Sequence, residues 1–124
     1  MRILGIGIDV VDVERMARIL DRHPRFAAKH FGPGEIADCD ARGDRAAGYA
    51  ARWAAKEAFA KSLGGVTHGR WREVAVVRAT DGSLTLSVEG RAEERMGEVG
   101  ATEVHVSIAH ERTVAVATCV AVGE

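Results

Sequence analysis

The sequence is poor in cysteine and in aromatic residues, and its charges nearly cancel. Its two cysteines, Cys39 and Cys119, are isolated, with no Cys-x-x-Cys motif and no histidine pair at zinc spacing nearby. This pattern argues against a disulfide framework and against a zinc site. The formal net charge of -1 provides no overall field that would favour nucleic acid or an anionic membrane. We therefore expect neither as a partner.

Long hydrophobic runs are also absent. The apolar stretch after Arg2 is short and is interrupted by Asp9, so it matches neither a signal peptide nor a membrane span. We therefore expect a cytoplasmic protein. With 124 residues, 47% of them hydrophobic and 5% aromatic, the chain is long enough for one domain, residues 1–124, with a small alanine-rich core. Such a core leaves room for subunit association to complete the burial.

The middle of the chain contains the most informative segment. No proline occurs from Arg45 to Leu63, alanine is frequent, and Gly64-Gly65 follows. This composition predicts a helix of about five turns that ends at the glycine pair. Such a helix is mostly apolar all round. Beyond its first residue, Arg45, it has four charged residues on two of its sides: Arg52 and Lys56, and Glu57 and Lys61. Charges on an enclosed helix must be paired or must hold a ligand.

An ordinary ion pair is the simplest explanation for two of these charges. Glu57 and Lys61 have the i,i+4 spacing of a surface pair that contributes a few tenths of a kcal/mol. The helix alone does not decide between that pair and a functional site.

The N-terminal segment predicts a buried strand that ends in a carboxylate. Residues 3–10 are apolar except for Gly5, Gly7 and Asp9, and the glycines allow another backbone to approach closely. Asp12 then opens a helix as its N-cap. Taken alone, Asp9 is more simply explained as a capping or turn residue. The two glycines lack the third glycine of a dinucleotide-binding fingerprint, which argues against that motif.

The remaining segments predict the fold class. Helices and antiparallel strands are mixed without a repeated βαβ unit, which indicates an α+β fold. The expected elements are a short helix from Glu35 to Asp40, strands at about 71–80 and 84–88, a helix at 90–99, and a final hairpin of strands 103–109 and 113–122.

Three motifs together resemble a known family. They are Gly5-Ile6-Gly7-Ile8-Asp9, the segment from Arg52 to Gly64, and Val106-Ser107-Ile108-Ala109-His110. In order and spacing, they are similar to those of the holo-[acyl-carrier-protein] synthases, the short bacterial 4'-phosphopantetheinyl transferases, and the resemblance runs from Ile3 to about Val122. The chain departs from the family pattern at Trp53, Gly64-Gly65-Val66, Gly82-Ser83-Leu84 and Ala109, which bears on the details of the nucleotide pocket and not on the reaction.

The resemblance implies both a fold and a reaction. The fold is that of the 4'-phosphopantetheinyl transferases, with antiparallel strands packed on a long central helix in a homotrimer whose active sites lie at subunit boundaries. In the implied reaction, a serine hydroxyl of apo acyl carrier protein attacks the β-phosphate of coenzyme A and takes up 4'-phosphopantetheine. Adenosine 3',5'-bisphosphate is released, as a step in fatty acid biosynthesis. Magnesium is the implied cofactor.

The resemblance also assigns roles to residues. Asp9 and Glu57 match the metal ligands, and Mg²⁺ needs only one or two carboxylates besides substrate phosphate. Glu57 and Lys61 form the expected catalytic pair, with Lys61 placed to neutralise the diphosphate. Glu57 or a metal-bound water could take the serine proton. We expect the nucleotide and its 3'-phosphate to contact Arg45, Arg52, Lys56, the Gly64-Gly65 backbone and His110; His110 is almost as well explained as a turn residue.

A basic cluster in the first helical region suggests a carrier-docking surface. It comprises four arginines with an apolar neighbour: Arg15, Arg18, Arg22, Arg25 and Phe26. A solvated helix face explains most runs of this kind. All of these residues except Arg18 match positions that contact the carrier in similar enzymes, and an acidic partner would dock here.

Two other classes of function fit part of the pattern. Another Mg²⁺-dependent phosphoryl transferase or phosphate hydrolase would also need Asp9, Glu57 and Lys61, but it would not explain the basic cluster. A non-enzymatic trimeric interaction module would explain the enclosed helix, but not the two carboxylates. The remaining histidines are expected to be surface or structural residues: His23, His30, His68 and His105.

Overall fold

The protein is described by a computed structural model that covers residues 1–65 and 70–124. Its elements are β1 (Arg2–Asp12), α1 (Val13–Arg22), α2 (Phe26–His30), α3 (Pro33–Asp40), α4 (Arg45–Ser62), a 3₁₀ turn (Trp71–Glu73), β2 (Val74–Arg78), β3 (Leu84–Val88), α5 (Gly90–Val99), β4 (Glu103–His110) and β5 (Val114–Gly123). The predicted α+β class is confirmed. Val66 and His68, on which predictions were made, lie outside the described residues.

The strands form two antiparallel sheets. One has the order β1-β5-β4, and β2 pairs with β3 in the other. The strand predicted at 71–80 is shorter than expected, because Trp71–Glu73 form a 3₁₀ turn before β2 begins. The predicted N-cap is confirmed, since the Asp12 side chain accepts a hydrogen bond from Arg15 N at 2.9 Å.

The two glycines of β1 bring this strand directly against α4. A Cβ at Gly5 would collide with the carbonyl oxygen of Ser62, and one at Gly7 would collide with that of Ala58. Only glycine permits this separation of the two backbones. The approach therefore fixes Asp9, two residues beyond Gly7, beside the C-terminal half of α4.

Helix α4 is enclosed by other elements, as its composition predicts. Its alanines pack on one side against β5, with Ala54, Ala55 and Ala58 in the same core cluster as Ala117 and Cys119. A second cluster joins Tyr49 and Ala50 to Met16 of α1 and Phe31. The helix ends where expected, before Gly64 and Gly65, which have φ values of 89° and 92°, in the left-handed region that glycine tolerates.

The prediction that β1 is buried is wrong for one of its faces. The glycine face packs on α4, but Ile6, Ile8 and Val10 on the opposite face are 64%, 56% and 59% exposed. An apolar run predicts burial without specifying which molecule covers each face. No helix within the described ranges is long and apolar enough to cross a membrane.

Candidate active site

Asp9, Glu57 and Lys61 meet where β1 crosses the C-terminal half of α4. The Lys61 ammonium donates to Asp9 Oδ1 at 2.9 Å and to the Ile8 carbonyl oxygen at 3.1 Å. Glu57 stands one turn before Lys61 on the same helix, and it lines a cleft together with Asp9. The structure thus brings together three of the side chains that the sequence singled out.

The electrostatics of this group favour a bound cation. Burial raises the pKa of Glu57, the neighbouring Asp9 carboxylate raises it further, and Lys61 acts in the opposite direction. The hydrogen bond to Asp9 raises the pKa of Lys61. A carboxylate whose ionisation is disfavoured by burial and by a neighbouring carboxylate, as at Glu57, becomes a better oxygen donor when a cation lies beside it.

The donor set at this position has the composition that magnesium accepts. Within residues 1–65 and 70–124, no group of three or more histidine, cysteine, aspartate or glutamate side chains is placed to hold a metal. Two carboxylates nevertheless suit Mg²⁺, which retains several waters and completes its shell with substrate phosphate oxygens. Asp9 and Glu57 are therefore the residues that would hold it.

The cleft beside these carboxylates has an apolar wall. It measures about 400 Å³, and its lining includes Arg15, Phe26 and Trp53 as well as Asp9 and Glu57. Phe26 is half-buried in an aromatic cluster, with its ring centroid 5.4 Å from that of Trp53 and 4.7 Å from that of His30. Part of the predicted apolar anchor is thus already packed within the protein.

The arginines of the basic cluster continue from this cleft along α1. Arg15 also lines a shallow groove with Arg18 and Arg22, while Arg25 and these three are exposed. Arg18 forms an i,i+4 pair with Glu14 at 3.7 Å, and both side chains are more than half exposed. The positive surface therefore borders the carboxylate site.

A second basic region lies at the other end of α4. Arg45 lines a cleft of about 600 Å³ together with His110 and Arg112. A smaller cleft of about 290 Å³ borders it and is lined by Arg42, Arg52, Arg78, Gly82 and, again, His110. These guanidinium groups and a histidine provide donors suited to phosphate groups.

Arg52 is held rigidly at the edge of the smaller cleft. Its side chain is only 5% exposed and forms an ion pair with Asp38. Its Nη1 donates to the Gly48 carbonyl oxygen at 3.3 Å, whereas the buried Nε has no hydrogen-bond partner among the described residues. Burial lowers the pKa of Arg52, and the nearby charge of Arg78 lowers it further. A bound anion would offset both effects.

Lys56 does not lie in either basic cleft. Its ammonium is fully buried and donates to Glu35 Oε1 at 2.8 Å, to the Trp71 carbonyl oxygen at 2.9 Å and to the Val74 carbonyl oxygen at 2.5 Å. All three of its protons are therefore used inside the protein. The structure points away from the predicted nucleotide contact of Lys56 and towards a structural role.

Helix α4 thus carries Glu57 and Lys61, which meet Asp9 of β1 near one end, and it borders arginine-lined clefts near the other. The sequence model of the 4'-phosphopantetheinyl transferase superfamily matches residues 5–119. The chain belongs to this superfamily.

Relatives of this transferase share its full length. A holo-[acyl-carrier-protein] synthase of Anaeromyxobacter dehalogenans is 46% identical over 125 residues, covering 98% of this chain and 97% of that protein. The crystal structure of the Neisseria meningitidis synthase superimposes with a TM-score of 0.86 at 30% identity, covering 98% of this chain and 99% of the other. A Chronobacterium ammoniagenes ACPS-CoA complex has a TM-score of 0.82 at 26% identity, with 97% of each chain covered.

Several residues of the transferase's basic region were not singled out from sequence. Arg42 and Arg78 line the smaller cleft, and Asp38 and Asp40 pair with Arg52 and Arg45. Arg78 lies on a different element from the helix that carries the motif. No local pattern in the sequence connects these positions, because the fold alone brings them together.

Proposed function

We propose that this transferase is a holo-[acyl-carrier-protein] synthase. It transfers 4'-phosphopantetheine from coenzyme A to a serine of apo acyl carrier protein and releases adenosine 3',5'-bisphosphate, in fatty acid biosynthesis. The observation that supports this most strongly is the meeting of Asp9, Glu57 and Lys61 at a cleft bordered by a basic surface. Two relatives that are named holo-[acyl-carrier-protein] synthase are 46% and 45% identical to this chain and cover 98% of it. The proposal includes a single domain and a cytoplasmic location.

Asp9, Glu57 and Lys61 have different roles in the proposed phosphoryl transfer. Bound Mg²⁺ would neutralise charge on the diphosphate and be held by Asp9 and Glu57. Lys61 is held by Asp9 and the Ile8 carbonyl oxygen. From there its ammonium would lie beside the diphosphate and stabilise the leaving phosphate as that phosphate becomes more negative. Glu57, whose pKa is raised by burial, is the carboxylate best placed to accept the serine proton.

The basic clefts at the other end of α4 would hold the nucleotide. We propose that Arg45, Arg52 and His110 contact its phosphates, with the Gly64-Gly65 backbone beside the diphosphate. Arg42 and Arg78 line the same region and add positive charge there.

Mass spectrometry of an apo carrier protein provides the direct test of the activity. After incubation with this protein, coenzyme A and Mg²⁺, we expect the carrier mass to increase by one phosphopantetheine group. Loss of phosphate from coenzyme A without carrier modification would favour a phosphate hydrolase. Failure to bind coenzyme A in calorimetric titration, with or without Mg²⁺, would favour a non-enzymatic module.

Exchange of Lys61 and exchange of Arg52 should have different kinetic effects. Lys61→Ala is expected to lower kcat more than it raises the KM for coenzyme A, because its charge matters most as the leaving group develops. Arg52→Ala should mainly raise KM, because the buried guanidinium binds the ground state and transition state alike. Steady-state kinetics with carrier in excess separates the two. The reverse ranking would show that the roles are exchanged.

The positions of the two regions on α4 support a homotrimer. Arg52 and Lys61 are nine residues apart, so at about 100° per residue they point to opposite sides of the helix. One nucleotide cannot lie against both within a single chain. We propose that α4 is the central helix of each subunit and that each active site combines the carboxylates of one copy with the basic clefts of a neighbour.

The exposed face of the three-stranded sheet provides the contact surface for this assembly. Ile6, Ile8 and Val10 of β1 pair with Val120, Thr118 and Val116 of β5, which places the six side chains on one face. A contiguous apolar surface of this kind is typical of a protein interface. Its coverage by other copies would also complete the small core.

Introducing a charge into this face should dissociate the protein. Ile8→Asp is expected to give monomers and to abolish transfer, because three copies of a carboxylate would be buried without partners. Val77→Asp is the matched control, since Val77 is also an exposed apolar residue, at 45%, but lies in the other sheet. Sedimentation velocity measures the outcome. An Ile8→Asp protein that remains an active trimer would rule out this interface.

The carrier is proposed to dock on the basic cluster. Arg15 lines both the carboxylate cleft and the arginine groove, so a carrier held by its acidic residues would present its serine beside Asp9. Charges at an interface rim chiefly accelerate association and are screened by salt.

Reversing two charges of the cluster should impair carrier recognition alone. Arg15→Glu combined with Arg22→Glu is expected to raise the KM for carrier strongly, to leave coenzyme A binding unchanged and to flatten the dependence of rate on ionic strength. Arg70→Glu combined with Arg72→Glu changes the net charge equally at other exposed positions and serves as the control. Unaltered carrier kinetics at low salt in the first variant would mean that the cluster is only a solvated face.

A further inference from the structure

A hydrogen-bonded group at the start of α4 fixes the orientation of Arg45. Asp40, the last residue of α3, accepts a hydrogen bond from Arg45 Nε at 2.7 Å and another from the Tyr49 hydroxyl at 2.9 Å, both at Oδ1. The guanidinium carbon of Arg45 lies 5.1 Å from the centroid of the Tyr49 ring. Because Tyr49 is fully buried, the ring is a fixed support for a side chain that is itself half exposed.

This arrangement leaves one edge of the guanidinium available. Arg45 donates to Asp40 through Nε, and within residues 1–65 and 70–124 its two terminal nitrogens have no hydrogen-bond partner. The same arginine lines the 600 Å³ cleft with His110 and Arg112. Since the guanidinium is planar and rigid, holding Nε at Asp40 and the guanidinium carbon over the Tyr49 ring also restricts the direction of the terminal donors.

We propose that Asp40 and Tyr49 are positioning residues for nucleotide recognition, which act by holding Arg45 ready to bind a phosphate group of coenzyme A. The proposal rests on the proposed function and extends it to two residues that contact Arg45 rather than the substrate. An arginine oriented in advance loses less rotational freedom when the ligand binds.

The two simpler explanations of Asp40 predict different results. As an ordinary surface ion pair, with both side chains nearly half exposed, it would contribute little to stability and nothing to the binding of coenzyme A. As an isolated negative charge near a phosphate site, it would weaken binding, so its removal would lower the KM for coenzyme A. A positioning role predicts that removal of Asp40 raises the KM for coenzyme A, because Arg45 is then free to rotate.

Kinetics of Asp40 variants with coenzyme A tests the positioning role. Asp40→Ala should raise the KM for coenzyme A about three- to tenfold, the cost of ordering one long side chain, with kcat unchanged. Asp40→Asn retains an oxygen that can accept from both Arg45 and Tyr49, so it should restore most of the affinity. In an Arg45→Ala background, Asp40→Ala should have no further effect.

The control removes a comparable ion pair elsewhere. Glu94 pairs with Arg91 at 3.2 Å on α5, and Glu94→Gln should leave the KM unchanged. An unchanged or lowered KM in Asp40→Ala, or an equal rise in the Arg45→Ala background, would overturn the positioning role. An Arg45→Ala protein that modifies carrier with unchanged KM would also overturn it, with the transferase function intact. If the protein without any substitution fails to transfer phosphopantetheine to the carrier, the proposed function is overturned as well.

Discussion

Alanine at Asp9 or at Glu57 is expected to lower the rate of carrier modification by at least about a hundredfold. Each variant removes one of the two carboxylates proposed to hold Mg²⁺, and Asp9→Ala also removes the partner that fixes the Lys61 ammonium at 2.9 Å. Neither change creates a large void, because both side chains line an open cleft. The loss should therefore appear in transfer and not in folding or assembly.

The measurement compares initial rates of phosphopantetheine transfer with urea unfolding and sedimentation. Glu93→Gln, which changes an exposed carboxylate of α5, serves as the control and should retain full activity. Excess EDTA should abolish transfer by the unmodified protein, and added Mg²⁺ should restore it. Full activity in either alanine variant, or in EDTA, would show that these carboxylates do not hold an essential metal.

The family resemblance implied that Asp9 and Glu57 act together, and short segments of the sequence explain how the fold brings them to one place. Gly5 and Gly7 mark a strand that another backbone approaches, and Glu57 and Lys61 lie within a helix whose start and end are both evident. The contact of Gly7 with the Ala58 backbone then brings Asp9 to these residues. Only one tertiary contact is needed; the glycines indicated a close approach of two backbones, and the structure identifies α4 as the partner.

The burial of the Lys56 side chain could not be predicted in this way. A helix that is apolar all round does not show which of its charges face a ligand and which face the interior. Lys56 and Glu57 are adjacent, yet one is buried against Glu35, 21 residues earlier, and the other lines an open cleft. Sequence spacing gave no means of recognising a partner so far away.

The exposed face of β1 illustrates a different difficulty. Its apolar residues correctly indicated a strand and a need for burial, but in the isolated chain Ile6, Ile8 and Val10 remain exposed. Hydrophobic periodicity reports that a surface should be covered, and it does not report whether the same chain covers it. The proposed homotrimer supplies the missing partner for this face.

The buried pair of Lys56 and Glu35 should contribute strongly to stability. Besides pairing with Lys56, the Glu35 carboxylate accepts from Gly32 N and from Val76 N, each at 3.0 Å. The pair thus ties α3, α4 and β2 together through one set of hydrogen bonds. Burial lowers the pKa of Lys56, while the charge of Glu35 acts against this effect. The pair is stable only as a unit, since either charge alone would be buried without compensation.

Lys56→Met is therefore expected to lower the free energy of unfolding by about 3–5 kcal/mol. The methionine keeps most of the volume, but it leaves the Glu35 carboxylate and the carbonyl oxygens of Trp71 and Val74 without the ammonium. Arg91→Met, which removes the solvent-screened pairs of Arg91 with Glu94 and Glu98 on α5, should lower the free energy of unfolding far less. Urea unfolding at constant protein concentration measures both changes.

The same variant separates the structural role from the nucleotide contact predicted by sequence. Under conditions in which Lys56→Met is folded and has the same assembly state as the unmodified protein, its KM for coenzyme A should remain close to that of the unmodified protein, because the Lys56 ammonium faces the interior. Arg52→Ala, with its expected rise in KM, provides the comparison on the same helix. A Lys56→Met protein of normal stability and strongly raised KM would place Lys56 at the nucleotide, and the burial of its ammonium would then not describe the active protein.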